Sequence, residues 1–120
     1  MDVLNMLYDT LAGFGYPVYL QGSMTAETDY PRAFYTYFNN DSSGSMYYDD
    51  LENVVIYDFD VNAYCDDPDE AQEMLLAARD ALRAEGFICA GAGYDILSDE
   101  PTHTGRGINA SYIERVGNNG

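Results

Sequence analysis

The segment from Asn53 to Gly86 constrains the fold more than any other part of the chain. Apolar and small residues alternate with polar ones through NVVIYDFDVNAYC, which is the pattern of a strand with one buried face. The residues that follow, DDPDEAQEMLLAARDALRAEG, begin with an aspartate and a proline and end with a glycine, which is the signature of a capped helix. The segment therefore predicts an amphipathic helix that lies across a sheet.

The residue spacing assigns the faces of both elements. The helix is expected over Pro68 to Glu85, with Asp67 as N-cap, Glu70 closing a capping box and Gly86 just beyond the last turn. One face of the strand carries Val55, Tyr57, Phe59, Val61, Ala63 and Cys65, and the other carries Asp58, Asp60 and Asn62. The apolar stripe of the helix consists of Ala71, Met74, Leu75, Ala78, Ala81 and Leu82.

The other segments predict one more helix and four more strands. The helix is expected from about Asp2 to Ala12, and the strands at about Val18 to Gln21 and in AFYTYFNN, FICAGAGYDI and INASYIERV. Strands and helices do not alternate regularly in this order. We therefore expect an α+β two-layer sandwich, with a mainly antiparallel sheet of about 4–5 strands covered by two helices. Residues 1–120 are expected to form a single domain, with 116–120 as a frayed tail.

The charge balance limits the classes of partner. The chain has 21 acidic residues, five arginines and no lysine, for a formal charge of −16. Nucleic acids and anionic membranes would be repelled, so neither is expected as a direct partner. The N-terminus lacks a basic region followed by an apolar run, and no stretch has the roughly 20 apolar residues of a membrane span, so a soluble, unexported protein is expected. Cys65 and Cys89 are predicted to be buried free thiols.

The segment SDEPTHTGRGI, residues 98–108, contains the residue types of a hydrolytic triad. Ser98, Asp99 and His103 lie close together in sequence, but no GxSxG turn presents the serine, and the only histidine could equally hold a turn. We expect no enzyme and no catalytic residue. The glycines here and in GAGYD match no phosphate-binding motif, and they indicate positive φ or a close approach of another backbone.

A metal site is not predicted, although Asp58, Asp60 and Asn62 resemble the start of a calcium loop. The sixth position of that loop is Ala63 and the twelfth is Asp69, where glycine and glutamate are required. Strand alternation explains the same spacing, and the acidic face is expected to be solvated or to contact another subunit. No cofactor is expected.

The twelve tyrosines exceed what a small core can hold with every hydroxyl paired, so part of them are expected at a protein contact. The region from Tyr30 to Asp50 is the predicted contact surface. The interface residues predicted from this reasoning are Tyr35, Tyr37, Tyr47, Tyr48, Asp58 and Asp60.

Four segments, GYPVYLQGSM, YPRAFYTYFNND, VIYDFDVNAYCDDPD and GFICAGAGYDILSDEPTHTGRGI, carry a family likeness over most of the chain. In them the chain resembles small tail-completion or tail-terminator proteins of long-tailed bacteriophages and prophages, particularly those of Gram-positive hosts. The resemblance implies a structural protein that forms a ring, often hexameric, at the head-proximal end of the tail tube. Its implied partners are copies of itself, tail-tube proteins and head-connector proteins, in the host cytoplasm during assembly and then in the tail or neck of the virion.

Within this resemblance, residues 98–108 become an assembly loop. The residues expected to act there are Asp99, His103, Thr104, Gly105, Arg106 and Gly107. Arg106 could bridge to carboxylates of a neighbouring subunit or pair locally with Asp99 or Glu100. Two alternatives to the tail protein stay open, namely an acidic DNA mimic that inhibits a nucleic-acid-binding partner, and an unspecified interaction module.

Overall fold

A computed structural model describes residues 3–20, 31–40, 46–48, 53–98 and 101–115 of the chain. Within them the elements are α1 (Val3–Ala12), β1 (Val18–Leu20), β2 (Ala33–Asn39), β3 (Met46–Tyr48), β4 (Asn53–Cys65), α2 (Pro68–Ala84), β5 (Ile88–Cys89), β6 (Tyr94–Ile96) and β7 (Thr104–Arg115). The predicted α+β class is confirmed: two helices cover a mostly antiparallel sheet. The predicted frayed tail, 116–120, lies outside the described residues.

The sheet is built around the long pair of β4 and β7. Its strand order is β1-β2-β4-β7-β5, with β3 also paired to β4 and β6 also paired to β7. The β4–β7 ladder is antiparallel and runs from Val54 opposite Arg115 to Cys65 opposite Thr104. β1 pairs with β2 in parallel, and every other pair is antiparallel. The described residues form seven strands, two more than the five segments predicted as strands. β3 is short and has little sequence signal, and the segment FICAGAGYDI forms two short strands, β5 and β6, where one was expected.

The predicted core is confirmed where β4 meets α2. Phe59, Val61, Ala63 and Cys65 of β4 are fully buried. The stripe of α2 buries Ala71, Met74, Leu75, Ala78 and Leu82, and α1 adds Val3, Leu7 and Leu11 to the same cluster. Both helices therefore cover one face of the sheet.

The ends of α2 follow the prediction in part. Asp67 accepts a hydrogen bond from the Asp69 amide at 3.0 Å, as an N-cap does. Gly86 has φ +104°, and the amides of Gly86 and Phe87 donate to Arg83 and Leu82 carbonyls, which is a Schellman ending. The capping box is replaced by other contacts.

The Glu70 side chain, predicted to close that box, binds elsewhere because a cation lies within reach. Its carboxylate accepts from both terminal nitrogens of Arg32, at 2.8 and 3.2 Å, and from the Tyr16 hydroxyl at 3.1 Å. The Asp67 amide donates to the Cys65 sulfur at 3.4 Å. The guanidinium of Arg32, which donates two charge-assisted hydrogen bonds, is a stronger partner for the Glu70 carboxylate than the single backbone amide of Asp67.

Three arginines hold the edge of the sheet formed by residues 88–96. Arg79 and Arg83 of α2 donate to the carbonyls of Gly91 and Cys89, and Arg106 of β7 donates to the carbonyl of Ala92. Gly91 and Gly93, both with positive φ, turn the chain between β5 and β6. The carbonyls of Cys89, Gly91 and Ala92 are thereby occupied within the protein, which makes this part of the edge less available for strand addition.

Cys65 and Cys89 are buried free thiols, as predicted. Burial raises the pKa of both thiols, so they stay protonated at neutral pH. In the part of the chain that the structure describes, no helix is long and apolar enough to cross a bilayer.

Candidate functional site

The face of the sheet opposite the helices carries a row of polar side chains. In the β4–β7 register, Asp58 lies opposite Ser111 and Asp60 lies opposite Asn109. Directly opposed residues point to the same side of a sheet, so these four side chains share one surface. We call this surface, with Asp58, Asp60, Asn109 and Ser111 at its centre, the open face. Asn62 points to the same side but is buried and donates to the Thr36 hydroxyl. The predicted polar face of β4 is therefore confirmed.

Neutral donors satisfy the two aspartates of the open face. Asn109 donates to Asp58 at 2.6 Å and Ser111 donates to the same oxygen at 3.4 Å. Asn40 donates to Asp60 at 3.1 Å. These hydrogen bonds hold the carboxylates in position but leave their negative charge uncompensated, which makes the centre of the open face polar and anionic.

Exposed apolar side chains surround this polar centre. Ile88 pairs with Ser111, Phe38 pairs with Asp60, Tyr94 pairs with Gly107, and Ile113 follows Ser111 by two residues, so all four lie on the open face. Their exposed fractions are 56% for Ile88, 42% for Phe38, 47% for Tyr94 and 49% for Ile113. A shallow depression of ≈ 240 Å³ lies between Ile88, Tyr94 and the Asn109–Ser111 pair.

Tyr94 rests on a glycine of the neighbouring strand. A Cβ atom at Gly107 would lie 3.1 Å from the Tyr94 ring and 2.6 Å from the Asn62 side-chain oxygen. Burial raises the pKa of Tyr94, and the charges of Asp60 and Asp58 raise it further. The tyrosine thus stays neutral beside the two acids, with its ring as part of the apolar perimeter.

The predicted assembly loop is divided between a turn and a strand. Thr104 to Gly107 belong to β7 and pair with β4, and Gly105 to Gly107 also pair with β6. The prediction of a loop over residues 98–108 is therefore wrong from Thr104 onward. The reason is that Gly105 is buried under Ile96 and Tyr64, where a Cβ atom would lie 2.7 and 2.9 Å from those side chains. The two glycines permit close packing of strands, which was one of their two expected uses.

His103 holds the turn to the start of β2. One ring nitrogen lies 2.8 Å from the Pro31 carbonyl and the other lies 2.9 Å from the Thr102 hydroxyl. The carbonyl requires a donor, so the nitrogen that faces Pro31 carries the proton. The ring also lies 6.3 Å from the ring of Phe34, which is buried. Asp99 lies outside the described residues.

Arg106 makes its contacts within the protein. Its side chain is 18% exposed and bonds to Asp95 at 2.6 Å and to Gln72, also at 2.6 Å. The local partner is therefore Asp95, because β6 places that residue directly opposite Arg106 in the ladder. Glu100, like Asp99, lies outside the described residues, and a contact of Arg106 with a neighbouring subunit stays a prediction.

The predicted interface tyrosines are separated by the fold. Tyr35 is fully buried, and its hydroxyl donates to the Met74 carbonyl at 2.9 Å, so the structure places this residue in the core instead. Tyr37 is half-buried and lies edge-on to Tyr8, with ring centroids 6.2 Å apart. Tyr47 and Tyr48 belong to β3, and their side chains fall outside the described residues.

Six residues of the open face were not predicted as part of a contact surface: Phe38, Ile88, Tyr94, Asn109, Ser111 and Ile113. The alternation in INASYIER contains the signal that would place Asn109 and Ser111 on one face. Their position beside Asp58 depends on the register of β4 with β7, which no local pattern specifies.

No family model matches the chain, and no curated protein matches it at a significant level.

Proposed function

We propose that this protein is a structural subunit of the tail-terminator or tail-completion kind in a long-tailed phage or prophage, and that it joins its neighbours through the open face. The observation that carries the proposal is the composition of that face: an anionic hydrogen-bonded centre framed by Phe38, Ile88, Tyr94 and Ile113, each more than 40% exposed. Apolar and aromatic side chains around satisfied polar groups are suited to burial against another protein.

The two sides of the sheet differ, and this supports a ring rather than a simple dimer. One side is covered by α1 and α2, and the other presents the open face. A ring needs contacts in which one patch meets a different patch on the next subunit. A protomer with two unlike surfaces supplies such a pair.

The charge supports a position around a DNA channel. Five arginines can balance at most five of the 21 acidic residues, and four of the arginines already hold contacts within the protein. An anionic lumen repels the phosphate backbone, and DNA would pass it without binding. The resemblance of the sequence to tail-completion proteins supports the same position.

The same charge pattern favours a second candidate, a DNA mimic that occupies a basic partner. The specific observation for it is the excess of 21 acidic residues over five arginines, because it gives the protein a strongly negative charge. The mimic would bind a nucleic-acid-binding protein tightly as a monomer, whereas the tail protein would associate with itself. The oligomeric form therefore separates the two candidates.

Electron microscopy of the purified protein tests the proposal. We expect closed rings from the wild type and no rings from Phe38→Ser, because that change removes an exposed aromatic contact from the open face. The control is Leu97→Ser, since Leu97 is 94% exposed in the segment that follows β6 but lies outside the open face, so its replacement should leave the rings intact. Absence of rings in the wild type, or rings from Phe38→Ser as readily as from Leu97→Ser, would contradict the proposal.

A further inference from the structure

A second surface feature lies on the helix side of the sheet, away from the open face. The chain that leaves α1 and the first half of α2 enclose a pocket of ≈ 270 Å³. Three aromatic side chains, Phe14, Tyr16 and Tyr35, line it together with two glutamates, Glu70 and Glu73. Aromatic walls with carboxylates at the rim are the surroundings that a protein cation prefers.

The floor of the pocket is rigid. Tyr35 is fully buried and anchored through its hydroxyl to the Met74 carbonyl at 2.9 Å. The rings of Phe14 and Tyr16 lie 6.0 and 5.8 Å from the ring of Tyr35, tilted and edge-on respectively. Phe14 is 37% exposed and Tyr16 is half-buried, so both rings have surface left for an incoming group.

The electrostatic balance of the pocket is negative. Arg32 is the nearby cation, and it binds Asp66 at 3.1 Å and Glu70 at 2.8 Å. Its hydrogen bonds, followed by that of Tyr16, lower the pKa of Glu70, so this carboxylate stays ionised. Glu73 is exposed and makes no ion pair with any residue that the structure describes. The pocket and its surroundings thus contain three carboxylates, those of Asp66, Glu70 and Glu73, and one arginine, Arg32.

We propose that this pocket binds an arginine side chain of a partner protein. A guanidinium can lie against the rings of Phe14 and Tyr16 while its forked donors reach Glu73. The protein contains the same pairing in its own Arg32, which grips Glu70 with two nitrogens. The pocket opens on the helix side, so the inference does not rest on the function proposed for the open face.

The charge of the chain indicates that the bound arginine belongs to another protein. Four of the five arginines of the chain already hold intramolecular contacts, and the chain contains no lysine. A surface with a formal charge of −16 attracts a basic partner, and an aromatic and acidic pocket fixes one of its side chains in place. The pocket would thus convert a diffuse attraction into a contact at a defined site.

Titration with acetyl-hexa-arginine amide tests the inference, with the Met74 methyl group observed by NMR because Met74 lines the pocket. We expect a saturable shift of that methyl signal in about 0.15 M NaCl, where distant surface charges are largely screened. Glu73→Gln should weaken binding roughly five-fold, since it removes the carboxylate but keeps the shape of the side chain. A hexa-lysine peptide should bind more weakly than the arginine peptide, because an ammonium lacks the planar fork.

The matched control is Glu85→Gln, which removes the same charge from an exposed glutamate at the other end of α2. Its affinity should stay within about two-fold of the wild type. Equal weakening by Glu73→Gln and Glu85→Gln would assign binding to overall charge and overturn the inference. An unmoved Met74 signal, or a lysine peptide that binds as tightly as the arginine peptide, would overturn it as well.

Discussion

At the scale of single residues, Gly107 is the position where the open face has least room. A Cβ atom there would lie 2.6 Å from the Asn62 side-chain oxygen and 3.1 Å from the Tyr94 ring. Gly107→Ala should therefore lower the free energy of unfolding by roughly 1–3 kcal/mol, the usual cost of overpacking. Urea denaturation measures the change. Gly13→Ala is the control, because its Cβ would meet its nearest neighbour at an ordinary 3.4 Å. Equal stabilities for the two variants would contradict the packing described for β7.

Glu70 gives a residue-scale prediction about pH. Arg32 and then Tyr16 lower the pKa of Glu70 in the folded protein below its value in the unfolded chain. The pair therefore stabilises the fold above the unfolded pKa of about 4.3, and this contribution is lost as pH falls through the folded pKa. The wild type should exceed Glu70→Gln in free energy of unfolding at pH 7, and that advantage should shrink as pH falls below about 4.3. Urea denaturation at pH 7 and at a series of lower pH values checks this. A difference that stays constant with pH would exclude the ionic contribution.

Residue types could be predicted from the sequence better than residue contacts. The two uses expected of the glycines both occur, with positive φ at Gly91 and Gly93 and close strand packing at Gly105. The partner of Arg106 could not be predicted, because Asp95 reaches it only through the β6–β7 pairing. Tyr35 was expected at a contact, yet its hydroxyl finds a carbonyl inside the core. Composition counts tyrosines but cannot say which of them have a buried partner.

At the scale of elements, the packing of α2 on the sheet supports the rest of the fold. Leu75 is fully buried in this layer, and Leu75→Ala should lower the free energy of unfolding by roughly 2–5 kcal/mol through lost contacts and a residual cavity. Leu76→Ala is the matched control, because it makes the same truncation at a half-buried neighbour and should cost less. Thermal and urea unfolding of the two variants test the assignment, and a larger loss from Leu76→Ala would reverse the orientation given for the helix.

The elements that the sequence predicts best are those with local signals. β4 and α2 are specified by strand alternation, an N-cap, a proline and a terminal glycine, all within one continuous segment. The beginning of β7 could not be predicted, since Thr104 to Gly107 contain few strand formers and become a strand through pairing with β4 and β6. Tertiary context overrides propensity at such positions. The same limitation explains why the open face was only half predicted.

At the scale of the whole molecule, the net charge opposes self-association and the apolar perimeter of the open face favours it. A formal charge of −16 makes copies of the protein repel one another, whereas the apolar perimeter of the open face favours burial against a neighbour. Salt screens the repulsion over a Debye length of about 10 Å at 0.1 M and hardly affects the apolar contact. The fold class and the charge were predictable from the sequence, but the apolar perimeter around the acids of β4 forms only when five strands are brought together.

The mass of the protein in solution shows whether copies of the chain associate through the open face. Sedimentation equilibrium over a series of protein concentrations, at about 0.05 M and about 0.5 M NaCl, measures self-association against screened repulsion. We expect a closed, hexameric oligomer that forms more readily at the higher salt concentration and is lost in Phe38→Ser. A monomer at every concentration and at both salt concentrations would contradict the claim that the open face joins copies of this chain.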